Sequence, residues 1–114
     1  KLTLKWESVA YGRGGNDPTG TILYEGTNMQ QAINAAVEYV SLHPRYSVVF
    51  RGKDSSGWAV HAYTVWNEDG SGRIYAGWGD SPLRGTNYGS SAGEVAAKLG
   101  ELLAGAEYSK LWGD

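Results

Sequence analysis

The sequence predicts an α+β fold, a single antiparallel-rich sheet of about five strands with two helices on one face, in the order β-β-α-β-β-β-α. Three observations predict it. Two apolar stripes recur at helical spacing, one in the first half of the chain and one near its end. Three strand-like apolar runs separated by hairpin-length turns lie between them, and two more strand-like runs precede the first stripe. Helices with a single apolar stripe bury it most simply by lying side by side on one sheet.

In chain order, Leu2, Leu4 and Trp6 alternate with Thr3, Lys5 and Glu7, the period of two of a half-buried strand. The stretch "YGRGGNDPTG" combines glycines with Asn-Asp-Pro and has no hydrophobic pattern, so it reads as a loop. The short run "TILYE" reads as a second strand. Thr27 followed by Gln30 is a capping-box arrangement that opens a helix. Met29, Ala32, Ile33, Ala36, Val37 and Val40 then share one face, and His43-Pro44 stops it, which places the helix at roughly 28–42.

The runs "YSVVFRG", "WAVHAYTVW" and "RIYAGW" follow, joined by "KDSSG" and "NEDGSG", and predict an antiparallel meander. The carboxylates Glu68 and Asp69 are explained by their place in the second of these turns. A second glycine-rich loop, "GDSPLRGTNYGSS", leads to Ser91 and Glu94, again at capping-box spacing. Val95, Leu99, Leu102, Leu103 and Ala106 form the stripe of a helix at about 92–106. Tyr108, Leu111 and Trp112 are expected to pack back on the body, since their apolar area favours burial.

At 114 residues the chain has the size of one domain, 1–114, and its 41% hydrophobic and 19% charged residues are those of a folded chain. With no cysteine it offers no thiolate chemistry and no Cys-ligated zinc. That composition fits a reducing compartment, so the expectation is cytoplasmic, although a secreted cysteine-free protein has the same signature. No apolar run approaches the length needed to cross a bilayer, so no membrane partner is expected. Five Trp and eight Tyr against one Phe favour rings with a polar tip, which suit binding surfaces.

Strict alternation divides the meander. Val48, Phe50, Val60, Ala62, Ile74 and Ala76 form the set expected under the helices, while Arg51, Ala59, His61, Tyr63, Arg73 and Tyr75 fall on the opposite, open face. Arg51, His61, Tyr63, Arg73 and Tyr75 are therefore the candidate binding residues: flat aromatic area, forked guanidinium donors and a pH-responsive imidazole. Arg13 and Arg84 sit among glycines whose amides suit an anion-binding loop, with Asp80 beside the second.

Catalysis is the weaker reading. A hydrolase would use His61 as base, Asp80 to orient it and Ser81 as nucleophile, but these residues fall into no motif. The chain has two histidines, one of them His43 at a helix end, and no motif places carboxylates around either, so neither a metal site nor any other cofactor is expected.

From residue 28 the order α-β-β-β-α, ending in "GSSAGEVAAKLGELL", resembles a double-stranded-RNA-binding domain in topology. In that family a lysine cluster opens the second helix. Here Ser90 to Lys98 holds one lysine and a glutamate, so the counterion release that drives such binding is largely missing and the family is not adopted.

The function expected is therefore a non-catalytic binding module, a small inhibitor or adaptor that takes a protein partner on its Tyr/Arg-rich face. The alternative partner is single-stranded nucleic acid, its bases stacked on Tyr63 and Tyr75 with Arg51, Arg73 and Lys5 along the backbone. A formal net charge of −2 disfavours a polyanion only mildly. Homo-oligomerisation through sheet edges is also open to such a fold.

Overall fold

In a computed structural model, the structure describes residues 4–12, 17–57, 59–78 and 91–112. Strands β1 (Lys5–Gly12) and β2 (Asp17–Gly26) precede helix α1 (Met29–Leu42). Strands β3 (Tyr46–Lys53), β4 (Ala59–Asn67) and β5 (Ile74–Trp78) form the meander, with one 3₁₀ turn at Glu68–Gly70, and helix α2 (Ala92–Trp112) follows. The strands form one open sheet in the order β2-β1-β3-β4-β5, and all neighbours are antiparallel. The α+β architecture and element order are those the periodicities predict.

Both helices lie on one face, α1 over β1 and β3 and α2 beside it against β4 and β5. Between helices and sheet lie Trp6, Ile33, Val40, Phe50, Val65, Leu99 and Leu103, buried together. Polar ties join α1 to the sheet. The Ser8 hydroxyl donates to the Ala32 carbonyl at 2.6 Å, and the Asn67 amide donates to the Val40 carbonyl at 3.2 Å. Asn67 also accepts from the Gly72 N–H at 3.0 Å, so one buried side chain fixes both the end of α1 and the β4–β5 turn.

The helix caps differ in detail from expectation. Asn28, one residue after Thr27, caps α1, its Oδ1 accepting from the Gln31 N–H at 3.0 Å, while its own N–H donates to the Tyr24 hydroxyl. Gln30 instead reaches α2 and donates to the Ala96 carbonyl at 3.2 Å. Ser91 and Glu94 do meet, hydroxyl to carboxylate, at 2.8 Å. Helix α2 continues to Trp112, beyond the expected end at 106, because an isolated glycine, Gly105, is tolerated within a helix and no proline follows it. How Tyr108, Leu111 and Trp112 pack lies outside the described side chains.

The first glycine-rich loop is shorter than its composition suggests. Ladder pairing extends through Gly12 on β1 and begins at Asp17 on β2, since neighbouring strands satisfy backbone groups that composition alone leaves open. The expected phase of β4 is reversed. Arg51 pairs with Ala62, Phe50 with Tyr63 and Gly52 with His61, so His61, Tyr63 and Val65 lie under the helices and Ala62 lies on the other face. A bulge between Gly52 and Lys53 sets Lys53 opposite Ala59 and leaves residue 60 as the extra one.

Candidate binding surface

The face opposite the helices is built from cross-strand rows. One row runs Glu25–Glu7–Arg51–Ala62, the next Ile22–Val9–Val49–Thr64–Gly77, and Ser47, Trp66 and Tyr75 stand in a third with Tyr11. Alternation alone predicts this whole face to be open, but Val49, Thr64 and Trp66 are only 6%, 2% and 5% exposed. Its accessible groups therefore sit towards the ends of the rows.

Of the five residues predicted to share this surface, Arg51 and Tyr75 stand in its rows. Arg51 is half-buried and its guanidinium donates to Glu7 at 3.1 Å, while Lys53 donates to the other oxygen of the same carboxylate at 3.2 Å. Arg51 is thus a structural ion-pair partner within the sheet, held by one acid shared between two cations. Tyr75 is half-buried and stacks on Trp66, ring centroids 5.7 Å apart and planes 19° apart. The Trp66 indole N–H donates to Glu68 at 2.8 Å, so both faces of the problem, ring plane and polar edge, are fixed. Arg73, two residues before Tyr75, is exposed.

His61 and Tyr63 are on the helix side. The His61 ring lies parallel to the fully buried Trp6 indole, 6.3 Å between centroids, and its Nε2 is buried. Tyr63 stacks on Phe50 at 5.8 Å. The reason is local. Gly52 stands between Trp6 and His61 in the same row, and without a Cβ it lets the indole lie across it towards the imidazole. A strand carrying apolar groups on both faces takes the phase that fills this space. A histidine packed in this way, with one ring nitrogen buried, is poorly placed as a surface base for hydrolysis.

Arg13, Arg84, Asp80 and Ser81 lie outside the described residues, as does the second glycine-rich loop. Sequence reasoning missed Trp66 and Glu68 as parts of the surface. The signal was present in the spacing, because Trp66 lies one residue before the turn, where its cross-strand partner is Tyr75.

A separate groove of about 350 Å³ opens between α1 and the start of α2, walled by Val37, Leu42, Ala92 and Ala96 with Glu38 at its edge. It contains none of the candidate residues. No helix among the described residues is long and apolar enough to cross a membrane. No protein-family model matches this chain, and neither a curated protein nor a solved structure matches it.

Proposed function

We propose that this chain is a non-catalytic binding module, a small inhibitor or adaptor, that takes a protein partner at the β4–β5 end of the sheet face opposite the helices. One observation carries the reading: exposed Arg73 lies two residues before Tyr75, and Tyr75 is backed by a Trp66 ring that a stack and a hydrogen bond hold in place. Arg, Tyr and Trp are the side chains that most often anchor interfaces, and a ring already fixed in position loses little entropy on binding.

Single-stranded nucleic acid is the less favoured partner. Its two stacking platforms, Tyr63 and Tyr75, are on opposite faces of the sheet, and Arg51 and Lys53 already neutralise Glu7. The test compares the wild-type chain with Arg73→Glu/Tyr75→Ala as immobilised baits in extract of the native host, followed by affinity measurement on the purified partner. The double variant should keep its fold and lose binding by about 100-fold, the scale of two anchor residues. Unchanged affinity rules this surface out. Binding to an oligonucleotide that weakens steeply between low and physiological salt would support the nucleic-acid alternative instead.

A further inference from the structure

The groove of about 350 Å³ between α1 and the start of α2 is lined by the helices alone, on the layer away from the candidate binding surface. Buried Val37 forms its floor, and Ala92, Gly93 and Ala96 form its α2 wall, residues too small to close it. Leu42 stands at its mouth and is 71% exposed. A single exposed leucine is ordinary on a protein surface. One that continues into an apolar groove makes a patch of the kind that marks an interface.

The charges beside the groove are complementary within one chain. Glu38 lies on the rim one turn before Leu42, Arg45 follows Leu42 by three residues, and both are exposed. Among the described residues neither side chain has an ion-pair or hydrogen-bond partner. The corner that carries Leu42 and Arg45 is fixed. The His43 N–H donates to the Tyr39 carbonyl at 2.9 Å, the Tyr46 N–H donates to the His43 carbonyl at 3.0 Å, and the Tyr39 and His43 rings pack 4.2 Å apart. Pro44, between them, restricts the backbone further. A knob already held in place loses little freedom on binding.

We propose that this groove is a self-association site at which a second copy of the chain crosses α1 on α1 antiparallel, each Leu42 covering the other copy's groove and each Arg45 pairing with the other copy's Glu38. Ser41 and Leu42 lie midway between Glu38 and Arg45 along the chain, so a two-fold axis beside them brings both ion pairs together at once. Charge selects this crossing. A parallel one would set Glu38 against Glu38 and Arg45 against Arg45. The small residues on α2 leave the partner helix room to approach to the roughly 8–10 Å between axes of packed helices. A foreign helix would need the same aliphatic knob followed by a cation, and this chain already carries both. The contact is small and rimmed by exposed charges, so the dimer is concentration-dependent rather than obligate. Tyr75 is on the far side of the sheet, so its surface stays open.

The test is sedimentation velocity on the whole chain across a concentration series, with wild type, Leu42→Asp, Glu38→Arg, Arg45→Glu and an equimolar mixture of the two charge reversals. Circular dichroism checks the fold of each, and all three positions are exposed. The wild type should move from monomer to dimer mass with concentration, and Leu42→Asp should stay monomeric. Each charge reversal alone should raise the dimer dissociation constant about tenfold, because the two-fold axis applies the repulsion twice. The mixture should recover the dimer, since opposite charges then meet at both ends of the contact. A wild type that remains monomeric up to about 1 mM, the weak end of specific association, overturns the proposal and leaves the groove to a different protein. So does a dimer that Leu42→Asp leaves intact, or a mixture that associates no better than either reversal alone.

Discussion

Trp6 and His61 lie with their ring planes 1° apart across Gly52, which has no side chain to separate them. A Cβ built on Gly52 would approach the Trp6 ring to 2.8 Å, and Trp6 is fully buried, so the indole has no free direction to yield. Gly52→Ala should therefore destabilise the chain by about 1–3 kcal/mol, the usual cost of overpacking a core. Urea denaturation measures it, and a variant as stable as wild type would show that the indole does not rest on this glycine.

Asn67 holds two elements with one amide, donating to Val40 on α1 and accepting from Gly72 in the turn. Asn67→Ala should cost about 1–3 kcal/mol, because the turn N–H and the helix carbonyl both lose a buried partner. Asn67→Asp is the more informative change. It keeps the acceptor for Gly72 but sets a carboxylate against the Val40 carbonyl in a buried site, which raises the folded-state pKa of the new acid above its unfolded value. The stability of this variant relative to wild type should therefore be greatest at acidic pH and fall as pH rises through that folded pKa. A pH-independent difference in denaturation midpoint contradicts the assignment.

Glu7 is shared by Arg51 and Lys53, so its removal leaves two neighbouring cations without their acid. Both cations keep some contact with water, with side chains 24% and 34% exposed, which limits the loss for Glu7→Gln to about 1 kcal/mol. The gap between variant and wild type should narrow in high salt. Equal gaps in low and high salt would mean that packing rather than charge sets the effect.

Gln30 and Gly100 occupy one point of contact between the helices, where a Cβ on Gly100 would run into the Gln30 amide. Alanine in place of a helical glycine gains about 1 kcal/mol of propensity, which the loss of the Gln30–Ala96 hydrogen bond offsets. Gly100→Ala alone should thus change stability little. In a Gln30→Ala background the same substitution should stabilise by about 1 kcal/mol, and a double-mutant cycle with no coupling would place Gln30 elsewhere.

Much of the fold is legible in local pattern. The stripe from Met29 to Val40 and the Ser91–Glu94 pair mark α1 and the start of α2, because helix periodicity and capping are written within a few residues. The face of β3 and β5 follows in the same way, with Val48, Phe50, Ile74 and Ala76 buried. The candidate surface is only partly legible. Tyr75 is where alternation puts it, but the ion pair of Arg51 depends on Glu7, which is distant in sequence and adjacent in the sheet.

The sequence by itself determined the element order, the two one-faced helices and the antiparallel meander. Each of these rests on spacing among near neighbours. Only the tertiary structure decided that β1 lies between β2 and β3, that β2 is left as a long border, and that His61 and Tyr63 face the helices. The physical reason is the same in β4 as in the sheet as a whole. A strand with aromatic and small groups on both faces has no preferred side of its own, and its phase is set by the space its partners leave: here Gly52, the Trp6 indole above it, and the bulge beside Lys53.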